Sequence, residues 1–459
     1  MLLAYAINEI GTWFGYVALA VGVYDATKSV LATAGLFVSR GLLPAVLSPL
    51  LVATVERFRR RSTVAALYLL EGILTLGLAA LLWRFFLPGV LVLVALDGVC
   101  AVAATALIRA IAADVETTSS AAIAPHRSEA GETSAISVQI APGSDAWAAQ
   151  SGGAPQLEEV GVDLTADRAP ASSAADREAA IEAAKRQANA ALNIAFMVAF
   201  AAGPALGGLL VHAIGGPLAL IIDAASFGLS ALMLASVRMP IGGSEGSVGD
   251  RLGAAWRHLR QTRALYTLLL TEAVAIVFFA SVEPVEVVYA KSTLSAGSLG
   301  LGILLAVWGC GAAAGAVAFA RFSRRSLSLI LTLGTLFVGL GYIGFALAPT
   351  LAVASVGALV GGVGNGVQWP ACISAVQQLT PQSMQGRLMG AVGSLSAICP
   401  AVGFALGGAI DALSSTRIAM FVAGGVATAA TVAFARISVG GPLAVAPSEH
   451  GESAEVLIG

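Results

Sequence analysis

Apolar runs of about twenty residues recur along this chain from one end to the other, and polar residues gather in the stretches between them. A helix needs ~20 apolar residues to cross a hydrocarbon layer ~30 Å thick, so the pattern predicts membrane-spanning helices. The first runs cover 1–24, 30–55, 62–83 and 85–108. From about 116 to 180 the chain turns to Ala, Ser, Gly, Thr and acidic residues, as in Thr117 to Ala122 and Ala171 to Ala175. Such a stretch is too polar and small-sided to build a core, and a disordered insertion is expected there. Spans resume at 188–212 and 217–237 and, beyond a basic stretch, at 264–290, 298–320, 326–348, 351–375, 388–411 and 418–435. The expectation is an all-α integral membrane protein of twelve spanning helices.

Composition agrees: 57% of the 459 residues are apolar and 11% charged, against roughly 25% charged in a soluble domain. Net charge is −2, so only the placement of charge is informative. Arg57, Arg59, Arg60 and Arg61 follow the second span, Arg251, Arg257, Arg260 and Arg263 the sixth, Arg321, Arg324 and Arg325 the eighth, and Arg387 the tenth. Connections of the other parity hold only Lys28, Arg84, Lys291 and Arg417. The positive-inside rule then puts both termini and the insertion in the cytoplasm of a cell-membrane protein, with Trp83, Phe85 and Phe86 at the outer interface. A cleaved signal peptide ending at Ala18-Leu19-Ala20 is the competing reading of the start. It lacks a basic leader and would carry Glu9 in its apolar core. Cys100, Cys310, Cys372 and Cys399 fall in apolar runs without CxxC spacing and read as packing residues. His126, His212, His258 and His450 are scattered, so neither a metal site nor a catalytic triad is indicated, and no enzyme is expected.

The chain also repeats itself. Arg57-Phe58-Arg59-Arg60-Arg61-Ser62 returns as Arg321-Phe322-Ser323-Arg324-Arg325-Ser326, 264 residues on, and Gly203-Pro204-Ala205-Leu206-Gly207-Gly208 returns as Gly403-Phe404-Ala405-Leu406-Gly407-Gly408, 200 residues on. The first pair ends spans two and eight and the second lies in spans five and eleven, as a six-helix repeat requires. The offsets differ by 64, close to the length of the polar segment that only the first half contains. The predicted organisation is an N-terminal half (1–115 and 181–240) interrupted by the insertion 116–180, a linker 241–263, a C-terminal half 264–440 and a disordered tail 441–459. In the linker, Leu252, Trp256 and Leu259 oppose Arg251, Arg257 and Arg260, the pattern of an interfacial amphipathic helix.

Two parallel six-helix halves around a central site are the architecture of major facilitator transporters, and the residues resemble that superfamily too. Val52 to Ser62 (VATVERFRRRS) is similar to the family's loop after helix two, Gly-x-x-x-Asp-Arg-x-Gly-Arg-Arg, with Val52, Glu56 and Arg59 replacing the first glycine, the aspartate and the second glycine. Ala199 to Gly208 (AFAAGPALGG) matches the Gly-Pro-x-x-Gly-Gly core of the helix-five signature associated with exporters, without its leading glycine. Asn8 to Trp13 (NEIGTW), Ala188 to Leu192 and Ala254 to Leu265 resemble the siderophore and macrolide exporter branch. The resemblance implies a secondary transporter that exports a small, partly apolar molecule of drug or siderophore type, by proton antiport and alternating access. Its partners would be substrate, protons and lipid, with no nucleic acid, no cofactor, no metal and a monomeric state. No Gly-Lys exists for a phosphate-binding loop, since the three lysines follow Thr27, Ala184 and Ala290.

Ionisable groups inside a bilayer cost about 2.5–3.5 kcal/mol each at a helix centre and mark functional sites. By depth these are Glu9, Arg40, Glu71, Asp97, Arg109, Asp223, Glu272, Glu283 and Glu286. For Arg109, Glu283 and Glu286 the alternative is a place near an interface, where they simply snorkel, and the deeper residues carry more weight. The exporter branch also places a basic residue where Arg40 stands, whereas Thr12 replaces the family's helix-one aspartate and Glu9 covers the same face. Carboxylates in such surroundings can bind a proton from one side and yield it to the other; the alternative is a static ion pair of Arg40 with Glu9 or Glu71. Pro284 and Pro370 are expected to break helix geometry beside the cavity, leaving Asn365 and Gln368 to bond substrate or a neighbouring helix. A conformational switch is expected at Glu56, Arg57, Arg61, Arg321 and Arg325, which serve equally as topology anchors. The same holds for Gly203, Pro204, Gly207 and Gly208, which serve equally as packing residues. The rival functions are nutrient uptake by the same architecture and a non-transporting receptor or scaffold whose partner binds the insertion.

Overall fold

The computed structural model describes residues 2–57, 61–122, 174–236, 263–322, 326–380 and 382–438. Six helices form the first half: α1 (Leu2–Thr27), α2 (Val30–Arg57), α3 (Arg61–Trp83), α4 (Leu87–Ala122), α5 (Ala174–Ile214) and α6 (Gly216–Ser236). The second half holds α7a (Arg263–Ala280) and α7b (Val282–Val288), together α7, then α8 (Gly297–Phe322), α9 (Leu327–Leu347), α10 (Leu351–Gln378), α11 (Gln382–Leu413) and α12 (Thr416–Ser438). Among the described residues nine helices are long and apolar enough to cross a membrane, with shorter apolar stretches at Val30–Pro44, Ile398–Leu413 and Thr416–Ala430.

α4 and α5 both extend into the polar segment, to Ala122 and from Ala174, past the boundaries of 116 and 180 that composition placed. The residues that α5 gains, from Ala174 to Ala180, are mostly alanine and include Glu178, both strong helix formers, while those that α4 gains include Thr117 to Ser120, weaker formers added to an established helix at little cost. Residues 123–173, the amphipathic linker up to 262 and the tail from 439 lie outside the described residues.

Polarity within a helix is inverted relative to a soluble protein. On α3, Leu69, Leu70, Ile73 and Leu76 face outward, while Glu71, Thr75 and Leu78 are buried. Within the first half α1 packs on α5 and α6, α3 on α6, and α2 on α4; within the second α8 packs on α10, α9 on α10 and α12, and α7 on α11 and α12. The halves meet where α5 packs on α8 and α2 on α11.

The repeated glycines hold equivalent places in the two halves. A methyl group at Gly203 would lie 2.6 Å from Trp13 Cδ1 on α1, and one at Gly208 would lie 2.8 Å from Gly302 Cα on α8. In the second copy Gly403 faces α7, where the same addition would stand 2.9 Å from Ala280 Cβ. Gly408 faces α2, 2.6 Å from Ala34 Cβ. Each copy thus seats one helix of its own half and one of the other, which only small residues permit.

Short turns join α1 to α2, α3 to α4, α5 to α6, α7 to α8, α9 to α10 and α11 to α12, and they lie at one end of the bundle. The α5–α6 connection is Gly215 alone, at φ 85°, a conformation that favours glycine. At this short-turn end the Tyr24 and Ser292 hydroxyls lie 2.5 Å apart and Lys291 pairs with Asp25, which also receives Lys28 at 3.0 Å. Of the two helices expected to break, α7 is interrupted at Ser281, and Pro284, lacking an N–H, leaves the Ala280 carbonyl without its helical donor; α10 instead runs unbroken from Leu351 to Gln378 through Pro370, because a buried helix absorbs the loss of one hydrogen bond within its packing. Beyond Val288 the backbone widens into a π turn over Tyr289–Thr293, with Leu294 N–H donating to the Tyr289 carbonyl at 2.9 Å.

Candidate functional site

A cavity of about 280 Å³ lies between the halves at mid-depth. The first half contributes Trp13 and Tyr16 from α1 and Phe200 from α5. Trp13 packs edge-on against both partners, with centroids 5.2 Å from Tyr16 and 5.3 Å from Phe200. On the opposite wall Trp308 of α8 stacks on Tyr342 of α9 at 5.1 Å and 16°, flanked by Phe279 and Trp369. Seven aromatic side chains line this space.

Three carboxylates share it, all from α7: Glu272, Glu283 and Glu286. Intervals of eleven and three residues are about three turns and one turn, so one helix face carries all three. Tyr16 donates to Glu283 Oε2 at 3.3 Å, a hydrogen bond across the two halves, and Gln368 Nε2 donates to Glu272 Oε1 at 2.5 Å. Aromatic faces and acceptor-only oxygens attract a cation and disfavour an anion. Among the described residues no group of His, Cys, Asp and Glu could hold a metal ion.

A second cluster lies inside the first half. Glu71 of α3, Asp97 of α4 and Asp223 of α6 are 1%, 6% and 3% exposed and interact electrostatically with one another and with Arg40 of α2. Glu9 of α1 acts on Glu71 as well. Small residues make the convergence possible. A methyl at Gly11 of α1 would lie 2.8 Å from Asp223 Oδ1, one at Gly72 3.2 Å from the Ala224 carbonyl, and one at Gly98 2.5 Å from the Arg40 carbonyl.

The eight residues expected along a substrate and proton path therefore divide between two places. Glu9, Arg40, Glu71, Asp97 and Asp223 gather in the first half, while Glu272, Asn365 and Gln368 line the cavity. Glu283 and Glu286, for which the sequence leaves both depth and snorkelling at an interface open, line the cavity, and Glu286 is 8% exposed. Gln368 both bonds the neighbouring α7 and lines the cavity.

The sequence model of the Major Facilitator Superfamily matches residues 268–456. Solved structures of transporters superpose over nearly the whole chain. The nucleoside transporter NupG does so at TM-score 0.65, 12% identical, covering 95% of this chain and 98% of its own. A bacterial homologue of the human lysosomal transporter Spinster, inward-facing and unoccupied, also gives 0.65 at 12% identity, covering 97% and 98%. The chain has the fold of the major facilitator superfamily. This is a fold of multi-pass membrane transporters, not of enzymes. Multidrug efflux pump Tap of Mycobacterium tuberculosis (strain ATCC 25618 / H37Rv) is 28% identical over 239 residues, 48% of this chain and 53% of that protein. The matched region thus spans about half the length of this relative.

In this major facilitator fold the switch residues scatter. Glu56 and Arg57 close α2 and Arg61 opens α3, at positions whose side chains lie outside the description; Arg321 is exposed at the end of α8, and Arg325 lies outside the described residues. Gly203 and Gly207 seat α1, with a methyl at Gly207 reaching 3.0 Å from the Trp13 carbonyl; Pro204 and Gly208 face α8. The described ion pair between the halves is at the opposite end from the arginine loops, Asp25 with Lys291. Cys310, read as a packing residue, is exposed, whereas Cys100, Cys372 and Cys399 are buried.

Sequence reasoning missed the aromatic walls: Trp13, Tyr16, Phe200, Trp308, Tyr342 and Trp369. A usable signal existed. Tryptophans of spanning helices favour the interfaces, yet Trp13, Trp308 and Trp369 each stand in the interior of a span.

Proposed function

We propose that this chain is a proton-coupled exporter of small, aromatic, positively charged or amphipathic molecules. The observation that carries the reading is the cavity between the halves, where stacked aromatic rings face three carboxylates. A flat cation gains from ring faces on two walls and from a counter-charge on the third. A desolvated cation–π contact is worth ~2 kcal/mol or more.

Transport follows from the halves being joined by contacts that can part. Asp25 with Lys291, Tyr24 with Ser292 and Gly208 against Gly302 close the short-turn end. Release requires these to separate while the other end closes, with Tyr16 and Glu283 exchanging each other for substrate. Export is favoured by the Gly-Pro-x-x-Gly-Gly run at Gly203 to Gly208 and by similarity to a protein named as a multidrug efflux pump. With both termini in the cytoplasm of a cell membrane, the short-turn end faces outward. The drive is a proton gradient, in which each charge crossing 100 mV is worth ~2.3 kcal/mol.

Purified protein in proteoliposomes tests this. With ethidium as the aromatic cation, preloaded vesicles are expected to show counterflow that a Glu283→Gln variant loses. Absence of counterflow with ethidium and with a panel of neutral and anionic aromatics would overturn the proposal.

A further inference from the structure

Resting on the export reading, we propose that the cavity takes an elongated dication end to end, with one cationic group at Glu283 and Glu286, an apolar middle along α7 and a second cationic group at Glu272.

Among the described residues six of α7 line the cavity: Glu272, Ile276, Phe279, Ala280, Glu283 and Glu286. Their intervals of four, three, one, three and three residues trace a single stripe along the helix. That stripe is acidic at its two ends and apolar between them. With a rise of ~1.5 Å per residue, the eleven residues from Glu272 to Glu283 hold the acidic ends ~16 Å apart. Glu286 lies toward the short-turn end, which Asp25 with Lys291 and Tyr24 with Ser292 close, and Glu272 lies toward the arginine loops. Between the ends the walls are aromatic: Trp308 stacks on Tyr342, and Phe279 packs on the same Tyr342 ring with centroids 6.1 Å apart.

The three carboxylates differ in what they already hold. Glu283 accepts from Tyr16 and Glu272 from Gln368, each through one oxygen. Gln368 is itself buried, so it fixes Glu272 through Oε1 and leaves Oε2 to a ligand. The carboxylate of Glu286 has no hydrogen bond or ion pair among the described residues, although the residue is only 8% exposed. Buried charges of this kind are costly unless a cation meets them. A monocation answers one end of the stripe and leaves the other unpaired. A dication of matching length answers both, and its second contact is intramolecular once the first has formed. The apolar middle disfavours a polyamine, whose inner amines would lie against Ile276 and Ala280 without an acceptor.

Decamethonium, an alkyl chain with a trimethylammonium group at each end, is the probe. On the full-length protein in nanodiscs, calorimetry is expected to show it binding at least about 10-fold tighter than an analogue with a hydroxyl in place of one trimethylammonium group, the low end of coupling between close charges. Without a second acidic end the analogue would bind as well or better, having one charge fewer to desolvate. Hexamethonium, the same dication on a shorter chain, should lose the advantage, and in Glu272→Gln the advantage of decamethonium should fall below about 2-fold. Should Glu272→Gln fail to fold, the three ligands on wild type decide alone. An analogue that matches decamethonium on wild type, hexamethonium that equals it, or an advantage unchanged in Glu272→Gln would overturn the proposal, and ethidium counterflow by the same preparation would leave the export reading standing. Wild type without counterflow of ethidium or of neutral and anionic aromatics would overturn that reading itself.

Discussion

Tyr16 and Glu283 sit on opposite halves of the molecule, 3.3 Å apart, with the stacked pair Trp308 and Tyr342 on the facing wall. A hydrogen bond to a charged group is worth about 1.5–3 kcal/mol, so Glu283→Gln should weaken ethidium binding by about 10- to 150-fold while sparing a neutral aromatic of similar size, as measured by fluorescence titration. Trp308→Ala removes a ring face and should cost both ligands, the cation by about 2- to 30-fold if the contact carries ~0.5–2 kcal/mol. Equal losses for both ligands in Glu283→Gln would mean that the carboxylate shapes the cavity rather than recognises charge. Which acids are buried was partly legible in the sequence. Glu71, Asp97, Asp223 and Glu272 stand out because each interrupts a long apolar run at its middle. Glu283 and Glu286 were legible only as one of two alternatives, because they stand closer to the end of their apolar run, and the π turn at Tyr289–Thr293 extends the helix beyond them.

The contacts between halves belong to the scale of helices. Lys291 and Asp25 are 19% and 42% exposed, and a solvent-accessible pair of this kind contributes only ~0.2–1 kcal/mol. Lys291→Ala should therefore raise labelling of a cysteine placed at Ser298, in a background lacking the native cysteines, by about 1.4- to 5-fold. An Asp25→Lys, Lys291→Asp exchange should restore it. Gly208→Leu acts more strongly, because its side chain would meet the Gly302 backbone, and overpacking of a close contact costs about 1–3 kcal/mol. Unchanged labelling in Gly208→Leu would place the opening elsewhere. The helices themselves were legible because a bilayer imposes a length, and the repeat was legible because the glycines of α5 and α11 seat equivalent neighbours. Partner choice was not. Nothing in GPALGG says that Gly208 meets α8 while Gly203 meets α1; that depends on the rotation of α5 about its axis, which packing decides.

Taken whole, the molecule is two copies of one six-helix unit facing each other across an aromatic cavity. The first copy keeps a buried cluster of carboxylates, Glu71, Asp97 and Asp223, and the second supplies the carboxylates that line the cavity. The polar segment enters through α4 and α5, which run to Ala122 and from Ala174, so removing residues 123–173 should leave counterflow within about 2-fold of wild type. Loss of activity with retained folding would assign that segment a part in transport. The central claim, that a proton gradient drives an aromatic cation through this cavity, is tested most directly in proteoliposomes with an acid lumen and clamped membrane potential. Ethidium should accumulate in vesicles carrying wild-type protein, with collapse of the gradient or Glu283→Gln abolishing accumulation. Accumulation that survives collapse of the gradient, or that Glu283→Gln leaves unchanged, would contradict it.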